Sequence, residues 1–163
     1  MARPRKQLDF RAAAEALTAP GAEAATMAAI ARRLDVAKPT LYRMAGSREE
    51  LVQLCIDAEA ERLLEQIHRA GGIDGFLAFV GDSPAGFTLL FGGSYPQARQ
   101  AVRRVENRLG EAMRRHGVSD AQTHAAGLLG LAAGVARRAL EHGVSLRSVD
   151  LQAILEKMQS TGN

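Results

Sequence analysis

Two short helical signals lie almost back to back in this chain of 163 residues, and few folds can accommodate them. Thr26 is placed to cap a helix over Met27 to Leu34, with Ile30, Ala31 and Leu34 on one face. Asp35 and Val36 make a turn, and a second helix follows from Lys38 to about Met44, with Pro39 in the first turn where it removes no helical bond. Helices this short are marginal alone, so each must pack against neighbours. A preceding helix from about Leu8 to Ala19, stopped by Pro20 and Gly21, supplies one. Three short helices over about 40 residues still make a small core. A long fourth helix follows with no linker, opened by Ser47 and Glu50 in the spacing of a capping box, and it can support them.

The rest of the chain reads as helical too. Leu51, Leu54, Cys55, Ala58, Leu63, Leu64 and Ile67 mark the apolar side of the fourth helix, which stops at Gly71 and Gly72. A less regular region from Ile73 to Gly93 holds two short apolar segments split by Asp82, Ser83 and Pro84. Ala98, Val102, Val105, Leu109 and Ala112 set the face of a helix from Gln97 to His116, ended by Gly117. Ser119 and Gln122 suggest another capping box, opening a helix to about Glu141. The last helix, roughly Ser148 to Gln159, carries Leu151, Ile154, Leu155 and Met158 on one stripe. There is no Trp, and the alanine-rich apolar share suits helices better than strands. The expected fold is all-α: an N-terminal three-helix helix-turn-helix domain over residues 1–46, then a helical body over 47–163.

Charge is distributed along the chain in the same two parts. The first 45 residues hold eight Lys or Arg against four acids, more than the whole net charge of +3, so the remainder is slightly acidic. A basic end on a near-neutral body fits a phosphate-binding head. The single cysteine, Cys55, rules out an intrachain disulfide, and its apolar neighbours predict a core position. No apolar run is long enough to span a membrane, and the basic N-terminus lacks the apolar stretch of a secretory signal. A cytoplasmic protein is expected.

Leu41 continues the apolar set of Ile30, Leu34 and Val36, so it should point inward. Lys38, Thr40 and Arg43 then point outward, where their polar groups can reach bases or phosphates, and Tyr42 offers a hydroxyl to a phosphate oxygen. The string TMAAIARRLDVAKPTLY from Thr26 to Tyr42, followed by GSREEL from Gly46 to Leu51, closely resembles the DNA-binding domain of the TetR family. The resemblance covers about residues 8–60. It implies phosphate contacts from Thr26, Tyr42 and Arg48, and base-facing roles for Lys38, Pro39, Thr40 and Arg43. Three positions depart from the family pattern. Ala37 replaces a common capping Ser, Asp35 a common turn Gly, and Met44 with Ala45 a frequent aromatic pair.

A helix-turn-helix reads few base pairs alone, so a homodimer on a double-stranded operator is expected. The resemblance implies that the last two long helices form the interface. Gly127, Gly130 and Gly134 each cost helix propensity, a cost more easily understood where backbones approach closely. Leu128, Leu131, Val135, Leu151, Ile154, Leu155 and Met158 would supply the apolar contact. The resemblance also implies a small ligand in the body. The candidate lining is Phe76, Phe79, Phe87, Leu90, Phe91 and Met113, which suits an apolar molecule, and no cofactor is called for. Enzyme chemistry finds little support. Glu65 and His68 have a di-iron spacing, but no second such pair exists, and phosphate-loop, nucleophile-elbow and zinc spacings are absent. The expected function is a sequence-specific transcription repressor released by a ligand. A chromosome-associated DNA-binding protein without an inducer is the alternative, and a helical metal enzyme a distant one.

Overall fold

The computed structural model describes residues 8–19, 21 and 26–144. Among these there are eight helices and no strand: α1 Phe10–Thr18, α2 Met27–Arg33, α3 Lys38–Ala45, α4 Arg48–Ala70, α5 Gly72–Asp82, α6 Pro84–Phe91, α7 Pro96–Arg115 and α8 Ala121–Glu141. The chain forms two compact units. One comprises Met1–Arg62 with Ser83–Arg103, the other Leu63–Asp82 with Arg104–Asn163. The unit holding the three short helices therefore reaches well past residue 46, taking in much of α4, all of α6 and the start of α7.

In the first unit, α1 is capped by Asp9, whose carboxylate accepts from the amides of Arg11 and Ala12 at 3.0 and 3.1 Å. It buries Ala13, Ala14, Ala16 and Leu17, and its neighbours are α2 and α6. The small alanines let helix backbones come close, while Leu17 fills the space between them. The capping box at α4 forms as its spacing suggests. The Glu50 amide donates to Ser47 Oγ at 3.1 Å, and the Ser47 amide donates back to Glu50 Oε2 at 2.6 Å. The buried side of α4 is Leu51, Val52, Cys55, Ile56, Glu59, Ala60 and Leu63. Leu54, expected on that side, is exposed, because Leu51, Cys55 and Ile56 define a face one residue removed from it.

The region 73–93 is more ordered than its sequence pattern suggests. Both apolar segments are helices, α5 and α6, with the break at Ser83. Ser83 Oγ accepts from the Gly86 amide at 3.2 Å, capping α6, and Pro84 occupies its first turn. These helices are apolar around most of their circumference, which hides the helical period that would have revealed them.

In the second unit, Gly75 on α5 meets the backbone of Gln66 and Ile67 on α4 so closely that a Cβ there would overlap it. Gly110 on α7 likewise leaves room for Gln122 on α8. Gln122 does not complete a capping box with Ser119. Residue Asp120 caps α8 in a left-handed conformation at φ 49° with no side-chain bond, and Gln122 Nε2 instead donates to Asn107 Oδ1 at 2.8 Å. Starting the helix one residue later than the motif requires puts Gln122 out of register with Ser119. The last expected helix lies outside the described residues, as do Leu151, Ile154, Leu155 and Met158.

Candidate nucleic-acid interface

The helix-turn-helix is set by three local devices. Thr26 Oγ1 accepts from the Ala29 amide at 3.3 Å and opens α2. That bond uses an acceptor lone pair and leaves the hydroxyl proton as a donor. Asp35 takes φ 50° in the turn, a conformation short polar residues tolerate better than most, and the Val36 amide returns to Ala31 O at 3.0 Å. After α3, Gly46 takes φ 71° and its amide bonds Tyr42 O at 2.8 Å. The cap residue of α3, Ala37, makes no side-chain bond, as its methyl dictates.

These devices fix which way α3 presents its side chains. Leu41 is fully buried and Ala45 nearly so, locking the helix down along one line. Lys38, Pro39 and Arg43 are exposed, and Thr40 is half-buried beside them. Tyr42 is 45% exposed, too much for a core aromatic. The outward groups also order one another. Arg43 NH2 donates to Thr40 Oγ1 at 3.1 Å, and Lys38 Nζ lies 5.8 Å from the centre of the Tyr42 ring. Arg48, half-buried at the start of α4, follows two residues after Gly46. Five of the seven residues expected to meet DNA thus sit on one eight-residue helix, and Thr26 and Arg48 begin the helices on either side of it.

The residues expected in the body are placed less uniformly. Phe76 and Met113 line a common cavity in the second unit. Phe79 is fully buried. Phe87, Leu90 and Phe91 belong to α6 in the first unit, where the rings of Phe87 and Phe91 stack with centroids 5.3 Å apart. On α8, Leu128 lines the same cavity as Phe76. Leu131, Gly134 and Val135 border an open groove of about 570 Å³ on another side of the helix, and Gly127 is exposed. Glu65 and His68 are both exposed, and among the described residues no group of three His, Cys, Asp or Glu lies close enough to hold a metal ion.

A buried polar cluster in the first unit escaped the sequence reading. Glu59 on α4 is fully buried, and its Oε2 accepts from Ser83 Oγ at 3.0 Å. Its Oε1 lies 3.2 Å from Arg62 NH1, close enough for an ion pair though not aligned as a hydrogen bond. Burial pushes the Glu59 carboxyl up, against the opposing pull of Arg62, the Ser83 bond and Arg11. Gly86 makes room for it, since a Cβ there would overlap the carboxylate. The available signal was a Ser-Pro pair with the form of a helix start, together with one acid inside the apolar stripe of α4.

A short helix pair with a tight turn, a buried Leu and an outward row of Lys, Thr, Tyr and Arg defines a helix-turn-helix DNA-binding protein. Residues 10–55 match the family model of the bacterial regulatory proteins of the tetR family. That match gives residues 10–55 a DNA-binding domain of the tetR-family type and supports a DNA-binding transcription regulator. No curated protein matches the chain. Among the described residues, no helix is long and apolar enough to cross a membrane.

Proposed function

We propose that the protein is a cytoplasmic repressor that occupies an operator as a homodimer and is released when a small molecule binds its body. The functional division is a DNA-reading head at residues 1–46 and a dimerising, ligand-binding body at 47–163. The observation that carries the DNA-reading role is the exposed row on α3, held in place by buried Leu41. Lys38, Pro39, Thr40 and Arg43 face the base edges, while Thr26, Tyr42 and Arg48 hold phosphates. The Thr40–Arg43 bond holds the guanidinium in one orientation, which favours a directed base contact over a diffuse charge.

Support for the dimer comes from α8. Gly127, Gly130 and Gly134 are exposed, and apart from the adjoining backbone of α8 itself no described atom lies within 4 Å of where a Cβ would stand on any of them. Three glycines in a helix carry a propensity cost of about 1 kcal/mol each. Among the described residues nothing close by accounts for that cost, whereas a second copy packing backbone to backbone would. Two heads about 34 Å apart then read successive major-groove faces.

Selection of genomic DNA fragments by the purified protein at two salt concentrations tests the proposal. A short, nearly palindromic site that survives higher salt is the expected result. Steeply salt-sensitive binding with no preferred sequence would leave only phosphate attraction, and the repressor assignment would fall to the architectural alternative.

A further inference from the structure

The second unit encloses a cavity of about 60 Å³, partly open to solvent. Ile67 of α4, Phe76 of α5, Leu109 and Met113 of α7, and Leu128 and Ala132 of α8 form most of its wall, and every side chain lining it is apolar. A water molecule there would need two to four polar partners, and the wall offers none from its side chains. Protein interiors are close-packed, so an apolar void leaves its lining without the contacts that packing normally supplies. The guest that best restores them is apolar and uncharged, because a charge would lose its hydration with no partner in return.

Size restricts the guest further. Pockets for drug-sized molecules span about 300–1,000 Å³. At about 60 Å³ this cavity falls well below that range and admits only a short chain of a few carbons. We propose that it is the ligand site of the body and receives the short alkyl end of a small uncharged molecule whose remainder stays at the mouth. The assignment rests on the proposal that a ligand in the body releases DNA, and it names the chemistry of that ligand.

Met113 supplies the reporter, being one of only five methionines and part of the wall. The full-length protein, labelled with 13C at its methionine methyls, is titrated with xenon and with the 1-alkanols from ethanol to hexanol. The Met113 methyl should shift saturably. Affinity should rise about fourfold for each methylene over the first carbons and then flatten once the cavity is full. Ala132→Leu should remove the response by filling the space, with Leu128→Phe as a second filling variant should the first fail to fold by circular dichroism. No saturable shift at Met113, or an equal shift in a folded filling variant, overturns the assignment. Operator release is measured separately on the same samples. Alkanols that fill the cavity while DNA stays bound would uphold the site and defeat the release mechanism. A compound that releases DNA equally from the wild type and from Ala132→Leu would do the reverse.

Discussion

The hydroxyl of Tyr95, just before α7, donates to the carbonyl oxygen of Leu17 near the end of α1 at 2.8 Å, a buried bond between residues 78 apart in sequence. The last four carbonyls of a helix have no partner within it, and Tyr95 satisfies one of them. The helix before the recognition pair is thus held partly by a residue far along the chain. Tyr95→Phe keeps the ring and leaves the Leu17 carbonyl buried without that donor, so it should cost about 1–3 kcal/mol. Urea unfolding of the two proteins measures the difference, and equal midpoints with equal slopes would mean that the bond contributes nothing.

A second relationship sets the step from α3 into α4. Gly46 combines φ 71° with a position where a Cβ would overlap the Glu50 carboxylate that caps Ser47. Gly46→Ala should therefore destabilise the protein by about 1–3 kcal/mol through backbone strain, with further loss as Glu50 is displaced from its cap. The Ser47 amide, then the Ser47 hydroxyl, hold the Glu50 carboxyl below its ordinary range. A carboxyl lowered on folding stabilises above its unfolded value, and that contribution is lost as pH falls through the lowered folded value. Glu50→Gln should accordingly narrow the loss of stability on acidification, measured as thermal midpoint from neutral pH down to pH about 3.

On the recognition helix, Arg43→Ala and Tyr42→Ala should differ in kind. Arg43, oriented by Thr40, is assigned to a base, so its loss should weaken operator binding by about 1–3 kcal/mol and relax the sequence preference. Tyr42 is assigned to a phosphate, so its loss should weaken binding to all sequences alike. Both side chains are exposed, and helicity should not change. Fluorescence anisotropy on the selected site and on a scrambled one separates the two effects. Unaltered binding by both variants would remove α3 from the interface.

Much of this head was legible in the sequence because its signals are local. Thr26 as a cap, Asp35 in the turn, Pro39 in a first turn, and Ser47 with Glu50 are each a residue type acting on a backbone group a few positions away. What was missed depends on distant partners. Nothing near Tyr95 announces Leu17, and Glu59 reads as a misplaced acid until Ser83 and Gly86 close around it. The Ser119–Gln122 motif failed because α8 starts one residue later than it requires, and Asn107 on another helix takes the Gln122 side chain. Periodicity gave out at α5 and α6, where apolar residues surround most of the helix and no face stands apart. Of the six side chains taken as a pocket, Phe76 and Met113 line a common cavity while Phe87, Leu90 and Phe91 belong to the other unit, because composition marks apolar residues without saying which of them meet.

Burial raises the Cys55 thiol to about 12, with the Glu59 charge adding to it. The thiolate is the reactive form, so the native protein should resist iodoacetamide at pH 8 and react fully once unfolded. Labelling of the native protein at the rate of a free thiol would show that α4 opens far more readily than its packing implies.

Glu59 provides the sharpest test of how α4 and α6 are joined. Its carboxyl is raised by burial, and a carboxyl raised on folding stabilises when protonated. Its contribution is fully present below the unfolded value and is lost as pH rises through the folded one. In its ionised form, Glu59 carries a desolvation cost that the Ser83 bond and the Arg62 ion pair offset only in part. Glu59→Gln keeps an oxygen to accept from Ser83 and removes the charge, while Arg62, one-third exposed, can turn to water. The variant should be at least as stable as the wild type at pH 7, with an advantage that shrinks as the wild type is protonated. Glu59→Ala, which strips Ser83 of its acceptor and leaves a cavity, should lose about 2–4 kcal/mol. Urea denaturation of the three proteins at pH 7 and pH 5 decides the matter. A Gln variant much weaker than the wild type at pH 7 would mean that the ionised carboxylate, rather than the hydrogen bond, holds α6 to α4.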